Sequence, residues 1–215
     1  MFDTIFFDLD GTLTDPGEGI TNSVAYALRQ TGREVPPRSE LYSYIGPPLL
    51  EQFMDVYGVD EAEARAMTDE FRVYFQDRGI LENELYAGIP EALQALKDAG
   101  ATLIVATSKP EVFAERILER FDLRKFFTVV AGSTMDESRT NKADVIAYAK
   151  EKLGRPVGKA LMVGDRKHDV LGAAAHGIPT AGALYGYGSR EELVDAGAVA
   201  IADTVADLVP VILGL

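Results

Sequence analysis

The chain contains no cysteine, which removes disulfides, thiolate nucleophiles and sulfur-ligated zinc from consideration. The compartment stays open on that ground. Histidine is nearly absent as well: His168 and His176 are the only two, neither has a second histidine or a cysteine at metal-ligand spacing, and both read as local polar residues. No stretch approaches the roughly eighteen apolar residues of a membrane span, and Asp3 stands where a secretory signal would be basic. A cytoplasmic location without a membrane partner is the expectation. Basic residues are scarce, 21 against 34 acidic ones for a net charge of −13, which argues against a broad surface for a nucleic-acid polymer or an anionic membrane. A small anionic substrate remains compatible if the positive charge is local. The rest is ordinary globular composition over 215 residues, enough for one domain carrying a smaller inserted one.

What is present concentrates near the start. The apolar run Phe6-Phe7-Asp8-Leu9-Asp10-Gly11-Thr12 delivers two carboxylates, one residue apart, into a glycine turn. Strand alternation turns Asp8 and Asp10 the same way and Leu9 inward. Like charges that close are normally kept only around a cation or a shared proton. A solvated Asp-Gly turn is the plainer alternative. An EF-hand is excluded, because its sixth and twelfth positions would be Leu13 and Gly19.

After the breaker cluster Thr14-Asp15-Pro16-Gly17 the apolar spacing is helical, with amphipathic helices expected at Ile20–Leu28, Pro47–Val56 and Glu61–Phe75 and no convincing strand until Thr102. A simple βαβ crossover needs one helix, so residues 15–84 read as a small all-helical domain inserted behind the first strand. Residues 1–14 and 85–215 then form the α/β core. From Gly88 onward helices and short apolar strands alternate: helices Pro90–Ala99, Glu111–Phe121, Lys142–Leu153 and Val170–Ala175, strands Thr102–Ala106, Thr128–Val130, Ala160–Val163, Thr180–Leu184 and Val199–Ile201, then a last helix. That pattern predicts a parallel sheet covered on both faces. Neither strand order nor oligomeric state is legible.

Ligands of such sheets bind at the carboxyl ends of the strands, where Asp8 and Asp10, Thr107-Ser108-Lys109, Asn141-Lys142 and the segment from Asp165 to Asp169 all fall. Ser108-Lys109-Pro110-Glu111 matches a capping box, which alone would explain the hydroxyls; a helix N-terminus beside a hydroxyl is equally a phosphate site. Lys142 is odd structurally, since a cation in a first helical turn opposes the dipole. Asp169 could be a plain N-cap. Three or four carboxylates at one sheet edge without matching arginines call instead for a divalent cation, and oxygen ligands point to Mg²⁺.

Together these segments resemble the haloacid dehalogenase-like hydrolase superfamily, whose D-x-D-G-T, Thr/Ser, Lys and G-D-x-x-x-D pattern is matched by Asp8 and Asp10, Thr107, Lys142, and Asp165 with Asp169. The resemblance covers the whole chain and implies a Rossmann-like sheet with a C1-type helical cap. Ile45-Gly46-Pro47-Pro48-Leu49 and Leu184-Tyr185-Gly186-Tyr187-Gly188 look most like its phosphoglycolate-phosphatase branch, within it the 5′-nucleotidase-like members.

The resemblance implies a phosphomonoester hydrolase for a small phosphorylated metabolite, a nucleoside 5′-monophosphate or phosphoglycolate. Asp8 would be the nucleophile that becomes an aspartyl-phosphate, and Asp10 the general acid and base. Mg²⁺ would sit on Asp8, the Asp10 carbonyl and Asp165, with Asp169 behind them, while Thr107, Ser108 and Lys142 bind phosphate. Gly46 and Pro47 would form a loop over the site, and Lys109 would reach the substrate's other half. A phosphosugar mutase is the close alternative; a dehalogenase needs no such metal set, and a receiver-like signalling module carries its phospho-accepting aspartate after the third strand.

Overall fold

The structure, a computed structural model, describes residues 2–215. Strand β1 (Thr4–Phe7) is entirely buried, as its Ile-Phe-Phe run demands, and it ends where Asp8 begins. The chain then makes a two-residue strand β2 (Thr14–Asp15) and enters helices α1 (Gly17–Gln30), α2 (Arg38–Leu41), α3 (Leu49–Tyr57) and α4 (Glu61–Tyr74). A π-helical turn at Phe75–Gly79 and strand β3 (Glu84–Leu85), paired with β2, close this stretch. Next come α5 (Ile89–Asp98), β4 (Thr102–Pro110), α6 (Glu111–Arg120), β5 (Val129–Ser133), α7 (Lys142–Leu153) and β6 (Ala160–Gly164). The last part holds α8 (Lys167–Ala174), β7 (Thr180–Ala183), α9 (Arg190–Ala196), β8 (Ala200–Ala202) and α10 (Leu208–Gly214).

Two compact units result: Asp15–Glu84, and the segment ending at Thr14 together with Leu85–Leu215. The second unit is α/β, a six-stranded sheet in the order β5-β4-β1-β6-β7-β8 whose paired neighbours are parallel. Phe7 lies level with Val105 of β4 and Val163 of β6, so Asp8 emerges between two strand ends. Alternation sends Phe6 into one face, where Ile104, Val129, Val145, Ile146 and Met162 enclose it. Phe7 meets Phe127 edge-on, ring centroids 6.2 Å apart. Each such buried aromatic contributes about 1.5–3 kcal/mol.

The helical unit has its own interior: Phe53 and Met67 are fully buried, Tyr44 packs on Phe53 at 5.1 Å, and Phe71 stacks on Phe75 at 5.4 Å. Gly19 lets α1 touch the π-turn, since a Cβ there would lie 2.0 Å from the Gly79 carbonyl oxygen. Among the described residues no helix is long and apolar enough to cross a membrane.

Several boundaries differ from the sequence reading. The helix expected at Pro47 begins at Leu49, because Pro48 is extended (ψ 128°) and the residue before a proline is kept out of the helical region. β2 and β3, two residues each, are too short to show alternation. Helix α9 has no counterpart in the reading; Ser189 starts it by accepting the Glu192 N–H at 3.0 Å. The capping box at Ser108 does not form: β4 continues through Pro110, which pairs with Ser133 after a shift in register, and α6 starts at Glu111 without a side-chain cap. Glu111 serves elsewhere, accepting from Gly132 N–H and ion-pairing with Lys152. Asp169 is not an N-cap either; it sits in the first turn of α8 and accepts the Arg166 N–H at 3.1 Å.

Candidate active site

The carboxyl ends of β1, β4 and β6 and the start of α7 bring together the charged groups named from the sequence. Asp8, Asp10, Lys142, Asp165 and Asp169 are all buried, as is Thr107. Asp8 is held by its backbone N–H, which donates to Val163 at 2.9 Å. Gly11 has φ +76°, which an L side chain adopts only under strain, and a Cβ there would lie 2.2 Å from Asp165 Oδ2. Glycine is therefore required twice over at that turn.

Lys142 shows how a buried ammonium is satisfied. Asn141 caps α7, accepting the Asp144 N–H at 2.9 Å, and this places Lys142 as the first helical residue. Its Nζ has three donors, and three acceptors surround it: Asp8 Oδ1 at 2.8 Å, Asp169 Oδ1 at 2.8 Å and the Ala106 carbonyl at 3.0 Å. Burial alone would lower its pKa, but Asp169 and Asp8 outweigh that and push it up. It remains charged.

Asp165 accepts from the Tyr187 N–H at 2.8 Å and from Thr12 Oγ1 at 3.3 Å. Burial pushes its carboxyl well up, with Asp169 and Asp8 adding to the effect. Asp169 rises to about 6, mainly by burial, with Lys142 opposing and Asp8 adding. One oxygen from each of Asp8, Asp165 and Asp169 lies within 4.8 Å of the others. Oxygens around a magnesium ion bound at 2.0–2.1 Å stand up to about 4.2 Å apart, so the cluster fits such an ion after small adjustments. The donor set is all hard oxygen.

Asp10 stands slightly aside, its Oδ2 2.8 Å from Lys109 Nζ. Burial raises its pKa and Lys109 opposes the rise. Thr107 Oγ1 accepts the Lys109 N–H at 3.2 Å, which leaves the hydroxyl proton for an incoming anion. Ser108 lies beside it in β4 and is half-buried. Gly46 (φ +105°) and Pro47 belong to the helical unit, between a turn at Tyr42–Tyr44 and α3. Four carboxylates face two ammonium groups, so with every group ionised the site is formally two positive charges short, and the raised carboxyl pKa values answer the same imbalance.

Sequence reasoning missed the fastening of Asp165 by Thr12 and by the Tyr187 backbone. The signal was present in Tyr185-Gly186-Tyr187-Gly188: a Cβ on Gly186 would meet Asp165 Cβ at 2.4 Å, and one on Gly188 the Asp165 carbonyl oxygen at 1.9 Å. Tyr185 closes the loop by donating to the Thr12 carbonyl at 2.9 Å. Reading that spacing as a family mark hid its packing role.

Residues 5–183 match the family described as haloacid dehalogenase-like hydrolase. The chain is 46% identical over 192 residues to a protein of Pseudomonas aeruginosa named 5′-nucleotidase, covering 89% of this chain and 87% of that one. It is 44% identical to a Mycobacterium tuberculosis protein named tyrosine-protein kinase PtkA, over 89% of this chain but only 65% of that longer protein. A phosphoglycolate phosphatase of Pseudomonas syringae is 29% identical, over 96% of this chain and 78% of that one. A crystal structure described as a predicted phosphatase from Clostridium acetobutylicum superimposes with a TM-score of 0.96 at 45% identity, covering 100% of both chains.

Proposed function

The chain belongs to the haloacid dehalogenase-like hydrolase family, and on that premise we propose that it is a Mg²⁺-dependent phosphomonoester hydrolase working through Asp8. The observation that carries this reading is the buried cluster itself: one carboxylate oxygen from each of Asp8, Asp165 and Asp169 within 4.8 Å of the others, with Asp8 and Asp169 each also paired to Lys142 at 2.8 Å.

A phosphate dianion approaching an aspartate is repelled by about 4 kcal/mol per pair of unit charges at 4 Å and an effective dielectric of 20. Asp8, Asp165 and the Asp10 carbonyl would hold Mg²⁺, which would supply positive charge against that repulsion. Thr107 binds a phosphate oxygen, with Ser108 beside it, and Lys142 binds another by turning to the phosphate the donor that now points at Asp8. Asp8 attacks phosphorus and becomes an aspartyl-phosphate, while Asp10 gives a proton to the leaving oxygen and later takes one from the hydrolytic water. Asp169 holds Lys142 in place. The substrate is a small phosphorylated metabolite, a nucleoside 5′-monophosphate or phosphoglycolate, as the names of the relatives suggest. Gly46 and Pro47 are the cap residues offered as contacts to it.

Purified protein should release phosphate from an aryl phosphate, stop when the metal is chelated, and lose at least about 10³-fold in kcat in Asp8→Asn. Activity that survives this change removes Asp8 from the nucleophile's place. A panel of 2-phosphoglycolate, nucleoside 5′-monophosphates, hexose phosphates and phosphotyrosine then ranks substrates. Phosphoryl transfer to a sugar hydroxyl in preference to water would make the chain a mutase instead.

A further inference from the structure

A carboxylate has two chemically equivalent oxygens and turns about its bond to Cβ, so a residue that moves a proton needs something to choose which oxygen does it. For Asp10 that choice is built into β4. Lys109 Nζ lies 2.8 Å from Asp10 Oδ2, with the two side chains only 6% and 11% exposed. Asp10 Oδ1, by contrast, is buried and has no hydrogen-bond partner.

The main chain that carries Lys109 is itself fixed. Its N–H donates to Thr107 Oγ1 at 3.2 Å, and the next residue, Pro110, is locked in the extended end of β4 and paired with Ser133. Resting on the phosphatase reading, we propose that Lys109 is a positioning residue: it clamps Oδ2 of Asp10, so that Oδ1 is the atom that exchanges the proton. This replaces the expectation that Lys109 reaches the substrate. Moving the ammonium away would strand a buried carboxylate, which is strongly unfavourable.

The cycle balances. In the first half the bond from phosphorus to the leaving oxygen breaks as the bond to Asp8 forms, and the leaving oxygen takes the proton from Oδ1. In the second half water attacks phosphorus, its proton returns to Oδ1, and the bond to Asp8 breaks. Lys109 keeps its own protons throughout and ends paired as it began. A clamp of this kind leaves phosphate binding alone and matters most when the leaving oxygen is a poor one.

The experiment compares Lys109→Met and Lys109→Arg on an alkyl phosphate, such as a nucleoside 5′-monophosphate, and on p-nitrophenyl phosphate, whose leaving group needs little protonation. Lys109→Met should lower kcat on the alkyl ester by about 100-fold, with KM within about three-fold. On the aryl ester it should lose less than about five-fold, and Lys109→Arg should recover most of the difference. In an Asp10→Asn background, Lys109→Met should cost nothing further on the aryl ester. A raised KM with unchanged kcat, an equal loss on both esters, or a full additional loss beside Asp10→Asn would each overturn the clamp. If Lys109→Met melts early, Lys109→Gln carries the same comparison. Wild-type protein inert towards every phosphomonoester would overturn the phosphatase reading itself, a result separate from any of these.

Discussion

In the helical unit the buried hydroxyls of Thr21, Ser23 and Thr68 donate to carbonyls one turn earlier, those of Gly17, Gly19 and Ala64, at 2.6, 2.6 and 2.9 Å. In the α/β unit Asp165 accepts from Thr12 across 153 residues, and Lys142 joins Asp8 to Asp169. Among the described residues every buried charged side chain lies in the α/β unit and none in the helical one. One interior is closed by local bonds and apolar packing. The other gathers charge from distant segments and, with every group ionised, is formally two positive charges short, a condition that a bound cation and not further packing would relieve.

The comparison can be broken most directly at its ion pairs. Lys142→Met leaves Asp8 and Asp169 buried without their partner and should cost about 3–5 kcal/mol in urea unfolding. Arg33→Ala removes the ion pair to Glu63, whose side chain is 51% exposed, and should cost less than about 1 kcal/mol. Similar losses for the two would erase the distinction.

A second test uses pH. Burial lifts the Asp169 carboxyl from 3.8 to about 6, Lys142 opposing and Asp8 adding, so between those values the folded protein binds more protons than the unfolded chain. Stability from this group is therefore greatest at low pH and falls as pH rises through that window. Mg²⁺ on the adjoining Asp8 and Asp165 would compete with protons bound by this carboxylate cluster. Added Mg²⁺ should raise Tm more at about pH 8 than at about pH 5, read by thermal melting. A gain independent of pH would place the ion away from these carboxylates.

The smallest effect separates two glycines that both have positive φ, Gly11 and Gly58. Gly58, at φ +61°, has nothing within 4 Å of the point where a Cβ would stand, so Gly58→Ala should cost about 1 kcal/mol from backbone strain alone. Gly11→Ala adds the clash with Asp165 and should lose clearly more, together with the stabilisation by Mg²⁺. Equal costs by chemical denaturation would show that Asp165 yields freely.

What the sequence disclosed depends on how local the cause is. Asp8 and Asp10 were legible because they follow directly on the carboxyl end of an apolar strand, and Lys142 because a cation at a helix start is out of place unless something there wants it. The family and the α/β architecture followed from their order along the chain. The pairing of Lys109 with Asp10 was not legible: Ser108 to Glu111 spells a capping box, whereas the segment stays extended through Pro110, which pairs with Ser133 of β5. Strand order was equally hidden, since β1 finds its neighbours 98 and 156 residues on, at Thr102 and Ala160.

Those separations bear on how the chain is made. Ile5-Phe6-Phe7 leaves the ribosome long before Ala160–Val163, the second of its two flanking strands. At about 5–20 residues per second, translation leaves that apolar segment only partly covered for roughly 8–30 s. During this interval it is an open edge for aggregation, and chaperone shielding would be most useful there.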